Sequence, residues 1–300
     1  MTIFVPPIKC QGIKTKLVPV IKDVVPDSIN GTWIEPFCGS CVVALNVQPE
    51  RAILADVNKH IIALYRAIQE ETVTPGLVRT FLEDEGATLA RIGEDHYYAI
   101  RTRFNTTQEP LDFLFLSRAC FNGVMRFNSK GKFNVPFCRK PERFSRAYVT
   151  KIVNQVRAFR DIVRGKDWKF VVSGFQDTLR YATVDDFVYA DPPYAGRHVD
   201  YYNSWGDEDE VQLAISLKAL PCRFLLSTWH GNKYRNNPLI TSQWSEANMH
   251  SMTIEHFYHV GPTEDLRNAM TEALVANYPL PSPVAARSEK IILEQGTFNF

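Results

Sequence analysis

No stretch of the 300-residue sequence approaches the roughly 18 uninterrupted apolar residues of a membrane helix, so no spanning segment is expected. The first residues, Met1-Thr2-Ile3-Phe4-Val5-Pro6-Pro7, lack the basic region, apolar run and cleavage site of a secretory leader, and a cytoplasmic location is expected. Cysteine is scarce: six, scattered along the chain, do not form the framework of a small secreted scaffold, and reduced thiols are expected. Neither sign of charge dominates. A formal net charge of +1 neither demands nor excludes a nucleic-acid partner, because binding depends on where the charge sits. Internal repeats and low-complexity tracts are missing too. What is present is an ordinary globular composition. With 45% hydrophobic positions, disorder is excluded, and the chain suits one α/β domain with a large insertion or two modest domains.

The charge that does matter is local. From Ser117 to Arg146 there are eight Lys/Arg and one acid, Glu142. Interleaved are Phe121, Phe127, Phe133 and Phe137, with Asn122, Asn128 and Asn134. A basic stretch alone is commonly a solvated face, but bases, aromatics and amides together supply backbone neutralisation and base-edge contact.

Three short apolar runs ending in polar residues read as buried strands: Thr32–Glu35, Arg51–Asp56 and Phe187–Asp191. Ligands gather at the carboxyl ends of strands in open α/β sheets, which is where Glu35, Asp56 and Asp191 would lie. Between the second and third runs, helical periodicity appears around His96–Phe104 and Asp112–Ala119, followed by the basic segment and a helix over Ser145–Val163. This block reads as an insertion, with 71–164 as one domain and 1–70 plus 165–300 as the other. Asn128-Ser129-Lys130-Gly131-Lys132-Phe133 carries turn chemistry between aromatic runs and predicts a hairpin or irregular loop. Further strands are expected over Arg223–Trp229, Thr253–Val260 and Thr271–Asn277.

The strongest single signal is Asp191-Pro192-Pro193-Tyr194, directly after an apolar strand. Both prolines fix φ, and the first also restricts Asp191, so the turn is rigid. It leaves the Asp191 carboxylate and the Pro192 carbonyl to accept from one NH2 group, with the ring of Tyr194 alongside for stacking. A planar amino group on a nucleobase matches that arrangement.

With Phe4–Lys9, Gln11–Lys16, Glu35-Pro36-Phe37, Phe121-Asn122-Gly123, Phe133–Phe137 and Gly196–Tyr201, the tetrad gives the chain its resemblance to a known family. It resembles the Dam-related, class α (D12 class) N6-adenine DNA methyltransferases, and among them the EcoRV-type modification enzymes. The order of cofactor segment, recognition insertion and catalytic tetrad matches class α. The resemblance implies a Rossmann-like methyltransferase domain using S-adenosylmethionine, with a mainly helical target-recognition insertion carrying a hairpin. Asp191, Pro192 and Tyr194 would be catalytic, acting on an adenine flipped out of double-stranded DNA. Cys10, Lys14, Glu35, Phe37, Asp56 and Asp191 would form the cofactor pocket, with Asp56 on the ribose hydroxyls and Lys14 on the cofactor carboxylate. Lys9, Arg126, Asn128, Asn134 and Trp229 would touch DNA, Arg126 at a guanine edge. The resemblance further implies GATATC as target within a restriction–modification system, with plain GATC the alternative, and action as a monomer on DNA. Cys41 stands where the family's second motif glycine would be, so that turn must tolerate a Cβ.

Other chemistries are weaker. Cys38-Gly39-Ser40-Cys41 has metal-ligand spacing, but no second cysteine pair accompanies it and no metal is expected. Pro221-Cys222 resembles the nucleophile motif of cytosine C5 methyltransferases, yet it merely precedes an apolar strand. His60, His198 and His230 read as surface or loop histidines. Cytosine N4, RNA or a protein amide would also offer a planar NH2, and a silent DNA-binding module would leave Asp191 without a purpose.

Overall fold

The computed structural model describes residues 2–10, 12–194, 205–232, 237–257 and 269–281. The chain runs α1 (Val18–Val24), β1 (Trp33–Glu35), α2 (Val42–Val47), β2 (Arg51–Asp56) and α3 (Lys59–Gln69). Four longer helices follow: α4 (Pro75–Ile92), α5 (Glu94–Thr107), α6 (Pro110–Ala119) and α7 (Arg146–Val163). Then come β3 (Asp167–Val172), α8 (Phe175–Leu179), β4 (Phe187–Ala190), α9 (Asp207–Lys218), β5 (Arg223–Asn232), α10 (Pro238–Trp244), β6 (His250–Phe257) and β7 (Ala269–Ala276).

The strands form one seven-stranded sheet in the order β3-β2-β1-β4-β5-β7-β6. β3, β2, β1, β4 and β5 are parallel, and β7 runs antiparallel between β5 and β6. This is a Rossmann-like doubly wound α/β fold with one antiparallel strand. The chain first winds outward from β1 to β2 and β3, then restarts at β4 on the other side of β1. Strand order therefore reverses between β1 and β4, where an open α/β sheet leaves its binding crevice.

Alternation along the central strands feeds two layers. Trp33, Leu54, Phe187, Tyr189 and Leu225 face a large core built with α1 to α7, in which Trp33 stacks on Phe187 at 5.2 Å between centroids. Ile34, Val188, Ala190 and Leu226 face the other way, onto Phe175 of α8, Leu213 of α9 and Trp244 of α10. Helices α4 to α7 share the first core: Leu82, Phe104, Phe113 and Val149 are buried with Trp33 and Tyr65.

Local chemistry sets the starts of elements. The Asn58 side chain caps α3 by accepting from His60 N–H (3.1 Å), and Thr74 caps α4 from Leu77 N–H (3.2 Å) with Pro75 in the first turn. Asp186 ties the two central strands together, its carboxylate accepting from Thr32 N–H (2.6 Å) and Thr183 N–H (2.7 Å). Gly31 lies against this junction, and a Cβ there would collide with the Asp185 carbonyl.

Five expected strands and the three expected insertion helices are present within a few residues of the expected limits. The expected strand over Thr253–Val260 instead runs His250–Phe257, with 258–260 outside the described residues. β3 was not expected. It is an edge strand whose Asp167 and Lys169 face solvent, so it lacks the continuous apolar run of the central strands. The hairpin expected around Asn128 closes through isolated pairings of Phe127 with Phe133 and Cys120 with Phe137.

Candidate active site

Two loops leave the sheet side by side at the reversal point: Glu35–Cys41 after β1 and Asp191–Tyr194 after β4. The first is held to β2. Cys38 N–H donates to the Ala55 carbonyl (2.8 Å), and Asp56 accepts from Gly39 N–H (2.9 Å) and Asn58 N–H (2.8 Å). A carboxylate offers about four acceptor positions, so these two bonds do not by themselves exhaust Asp56. Cys41, at φ 58°, makes the left-handed turn into α2 with its side chain fully buried.

The second loop meets a buried cation. Lys14 Nζ lies 2.9 Å from Asp191 Oδ1, donates to the Tyr194 hydroxyl (2.8 Å) and stands 3.8 Å from Glu272 Oε2 on β7. The side chains of Lys14 and Glu272 are 3% and 0% exposed, so the ion cluster is out of solvent, with Asp191 at 20% forming its open end. Burial opposes the charge on Lys14, but Asp191, Tyr194 and Glu272 together outweigh it and hold its pKa well above the ordinary value. Burial raises Asp191, Lys14 pulls it back and Glu272 pushes it up again, leaving it at about 6. Tyr194 is raised well above its ordinary value by burial and stays a neutral phenol.

Glu35 is different in kind. Burial, with the charge of Asp191 nearby, pushes it up to about 8 against the hydrogen bond from the Trp33 indole N–H (2.8 Å), so it is mainly protonated at neutral pH. Cys10 is raised to about 12 by burial and by Asp56 and Asp191, and remains a thiol. Phe37 is one wall of an aromatic cluster with Phe175 (5.6 Å) and Trp205 (5.3 Å). The indole N–H of Trp205, in that cluster, and the hydroxyl of Thr228 on β5 are buried without a hydrogen-bond partner among the described residues.

The structure thus brings together Cys10, Lys14, Glu35, Asp56, Asp191 and Tyr194, while Phe37 looks onto the opposite sheet face. Lys14, expected at a cofactor carboxylate, is seated on the tetrad. Sequence reasoning missed Glu272, Phe175 and Trp205. Glu272 is the one acid in the apolar run Thr271–Ala276, and a lone carboxylate in a buried strand was the signal available.

On the candidate DNA side, Arg126 and Asn134 face solvent together, Arg126 Nε donating to Asn134 Oδ1 (3.0 Å). The Asn128 side chain accepts from Lys130 N–H (3.0 Å) and Lys132 N–H (3.1 Å), so its carbonyl builds the turn. Lys9 packs its alkyl chain on Gly123, and burial with the nearby Arg143 and Arg118 lowers its pKa. Trp229 sits on β5 opposite Glu272, next to a register shift. Gly196–Tyr201 lies outside the described residues.

One expectation is corrected. His60 is not a surface histidine. It is buried against Phe104, Phe113 and Phe127, and burial, with Lys59 nearby, lowers its pKa to about 4. Cys38 and Cys41 are buried thiols whose pKa values burial raises, and among the described residues no group of three or more metal-ligating side chains occurs. Cys222 is raised to about 11 by burial and by Asp186, which removes the thiolate a nucleophile needs. A cleft of about 610 Å³ lies away from this chemistry, lined by the starts of β1, β2 and β4 and by α8.

The chain is 28% identical over 283 residues to the type II methyltransferase M.FokI of Planomicrobium okeanokoites, covering 91% of this chain and 42% of that one. It is 36% identical over 200 residues to the DNA adenine methylase of Haemophilus influenzae, covering 63% of this chain and 64% of that one. With the type II methyltransferase M1.LlaDCHI of Lactococcus lactis subsp. cremoris it shares 25% identity over 286 residues, covering 90% and 94%. The chain spans about two fifths of the length of M.FokI and of the modification methylase StsI. Among solved structures, the rRNA methyltransferase aviRa of Streptomyces viridochromogenes aligns at a TM-score of 0.34 and 12% identity, too slight a likeness to bear on function. The family profile runs through both loops of the site, over residues 11–260, and the chain belongs to the D12 class N6 adenine-specific DNA methyltransferases.

Proposed function

We propose that the chain methylates adenine N6 in double-stranded DNA, with S-adenosylmethionine as donor. The observation that carries this reading is the Asp-Pro-Pro-Tyr turn at the strand reversal, its carboxylate buried to the rim and its rigid carbonyl beside it. The residues present fit the cofactor. Asp56 accepts hydroxyl protons, Phe37, Phe175 and Trp205 offer aromatic walls, and the Trp205 N–H and Thr228 hydroxyl supply buried polar atoms awaiting partners. When bound, the cofactor supplies an electrophilic methyl on a sulfonium.

The chain's own residues do the rest. Adenine N6 is a poor nucleophile because its lone pair is delocalised into the ring. Accepting its two N–H bonds at the Asp191 carboxylate and the Pro192 carbonyl localises that lone pair and aims it for direct in-line transfer. Tyr194 stacks on the flipped base while its hydroxyl is held by Lys14. Lys9, Arg126, Asn128, Asn134 and Trp229 serve the DNA, and 71–164 is the recognition unit.

For the target, resemblance to EcoRV-type enzymes in Gly196–Gly206 and Ser227–His230 supports GATATC, modified at the adenine after the first guanine. Modification of plasmid DNA tests both levels. GATATC sites should resist a nuclease that cuts there while GATC sites stay open to a methylation-blocked GATC nuclease. Protection at every GATC would replace the longer target with the shorter.

A further inference from the structure

The mechanism gives no task to the carboxylate buried beside Lys14. Glu272 is fully buried in the middle of β7, between Trp229 of β5 and Ile254 of β6, with Oε2 3.8 Å from the Lys14 ammonium. Taking a carboxylate out of water costs several kcal/mol, and one ammonium already has a carboxylate at 2.9 Å in Asp191. A pair of Lys14 and Asp191 alone would be neutral as a unit.

That neutrality would be a handicap. In the transfer, the N6 lone pair forms the new N–C bond as the methyl–sulfur bond breaks with its electrons left on sulfur. N6 then carries positive charge until one of its protons passes to Asp191 and on to water. A Lys14 ammonium touching Asp191 opposes that developing charge. A second carboxylate behind Lys14 restores the balance: among the described residues, one ammonium and two carboxylates give a net negative cluster, sheltered from solvent, where such charge acts strongly. We infer that Glu272 is a positioning residue for methyl transfer, drawing Lys14 back so that Asp191 presents uncancelled negative charge to N6.

The groups facing this cluster are few. Among the described residues, Lys14 and Cys10 come from the N-terminal segment, Asp191, Tyr189 and Tyr194 from β4 and its loop, and Glu35 from β1. Tyr189 and Tyr194 are raised well above their ordinary values by burial, and the raised values of Glu35 and Cys10 leave them mainly uncharged at pH 7. None of these four can take over the second negative charge.

The inference rests on the proposed adenine methylation, and two readouts separate them. The first needs no reaction: the titration of Asp191 in the free protein, followed by carboxyl carbon NMR and assigned with Asp191→Asn. Glu272 raises Asp191, so Glu272→Gln should move its midpoint to lower pH. The second is turnover. In the same variant kcat should fall on the order of tenfold to a hundredfold with KM for the cofactor and DNA affinity held. An unmoved midpoint with normal kcat overturns the role of Glu272. Should Glu272→Gln fail to fold, Glu272→Asp answers instead. Withdrawing the charge by one methylene should move the midpoint the same way by a smaller step, and an unmoved midpoint again overturns the inference. Absence of labelled methyl in DNA treated with the unaltered chain strikes the adenine reading, whatever the titration shows.

Discussion

In the proposed transfer Asp191 works as a carboxylate, the form that takes up positive charge developing on N6, and burial has raised it to about 6. Activity should therefore climb as pH rises through about 6, with the acid limb belonging to Asp191. Stability runs the other way. A carboxyl raised in the folded state favours folding fully below its unfolded value and loses that contribution as pH rises through the folded one. Lys14 lowers Asp191, so Lys14→Met should carry the acid limb to higher pH, opposite in sign to Glu272→Gln. Removing Lys14 also leaves two buried carboxylates without their cation. Breaking a buried pair from one side costs about 3–5 kcal/mol, measurable by urea unfolding at pH 7. An unchanged midpoint of unfolding would show that Lys14 is not the partner described. The tetrad was legible at this scale because proline geometry and acid chemistry are both local. Glu272 was not, because its meaning arises only when β7 is laid beside β5 and faces a lysine some 250 residues earlier in the chain.

Elements place the candidate DNA contacts, and here one glycine can be tested. Gly123 has φ +66°, and a Cβ on it would meet Lys9 Cδ at 2.7 Å. Gly123→Ala should both strain the turn and displace Lys9, weakening DNA binding while leaving cofactor binding intact; equal DNA affinity by anisotropy would remove Lys9 from the interface. Arg126→Ala should cost roughly 1–3 kcal/mol and relax preference at one base pair, whereas a uniform loss over all sequences with a shallower salt slope would make Arg126 a phosphate contact. The central strands could be read from sequence because both their faces are buried and they appear as apolar runs. β3 escaped because, at an edge, Asp167 and Lys169 interrupt its apolar run. His60 escaped because nothing in its neighbours along α3 announces Phe104, Phe113 and Phe127, which arrive from the insertion.

For the whole molecule, the decisive relation is the order of the strands. Parallel strands wound outward from β1 and restarted at β4 bring Glu35–Cys41 and Asp191–Tyr194 to one crevice, although some 150 residues separate them. Between them α4 to α7 share the core of the sheet, with Phe104 and Phe113 buried alongside Trp33. Phe104→Ala should therefore cost about 3–5 kcal/mol and destabilise both parts in one unfolding transition. Two separated transitions by calorimetry would contradict a shared core. The central claim is narrower than the fold, and one measurement addresses it. The purified chain is incubated with double-stranded DNA and methyl-labelled S-adenosylmethionine, and the DNA is digested to nucleosides. The label should appear in N6-methyl-2′-deoxyadenosine with the unaltered chain and vanish with Asp191→Ala, which still binds DNA. Label in N4-methylcytosine, or undiminished transfer by Asp191→Ala, would contradict the account.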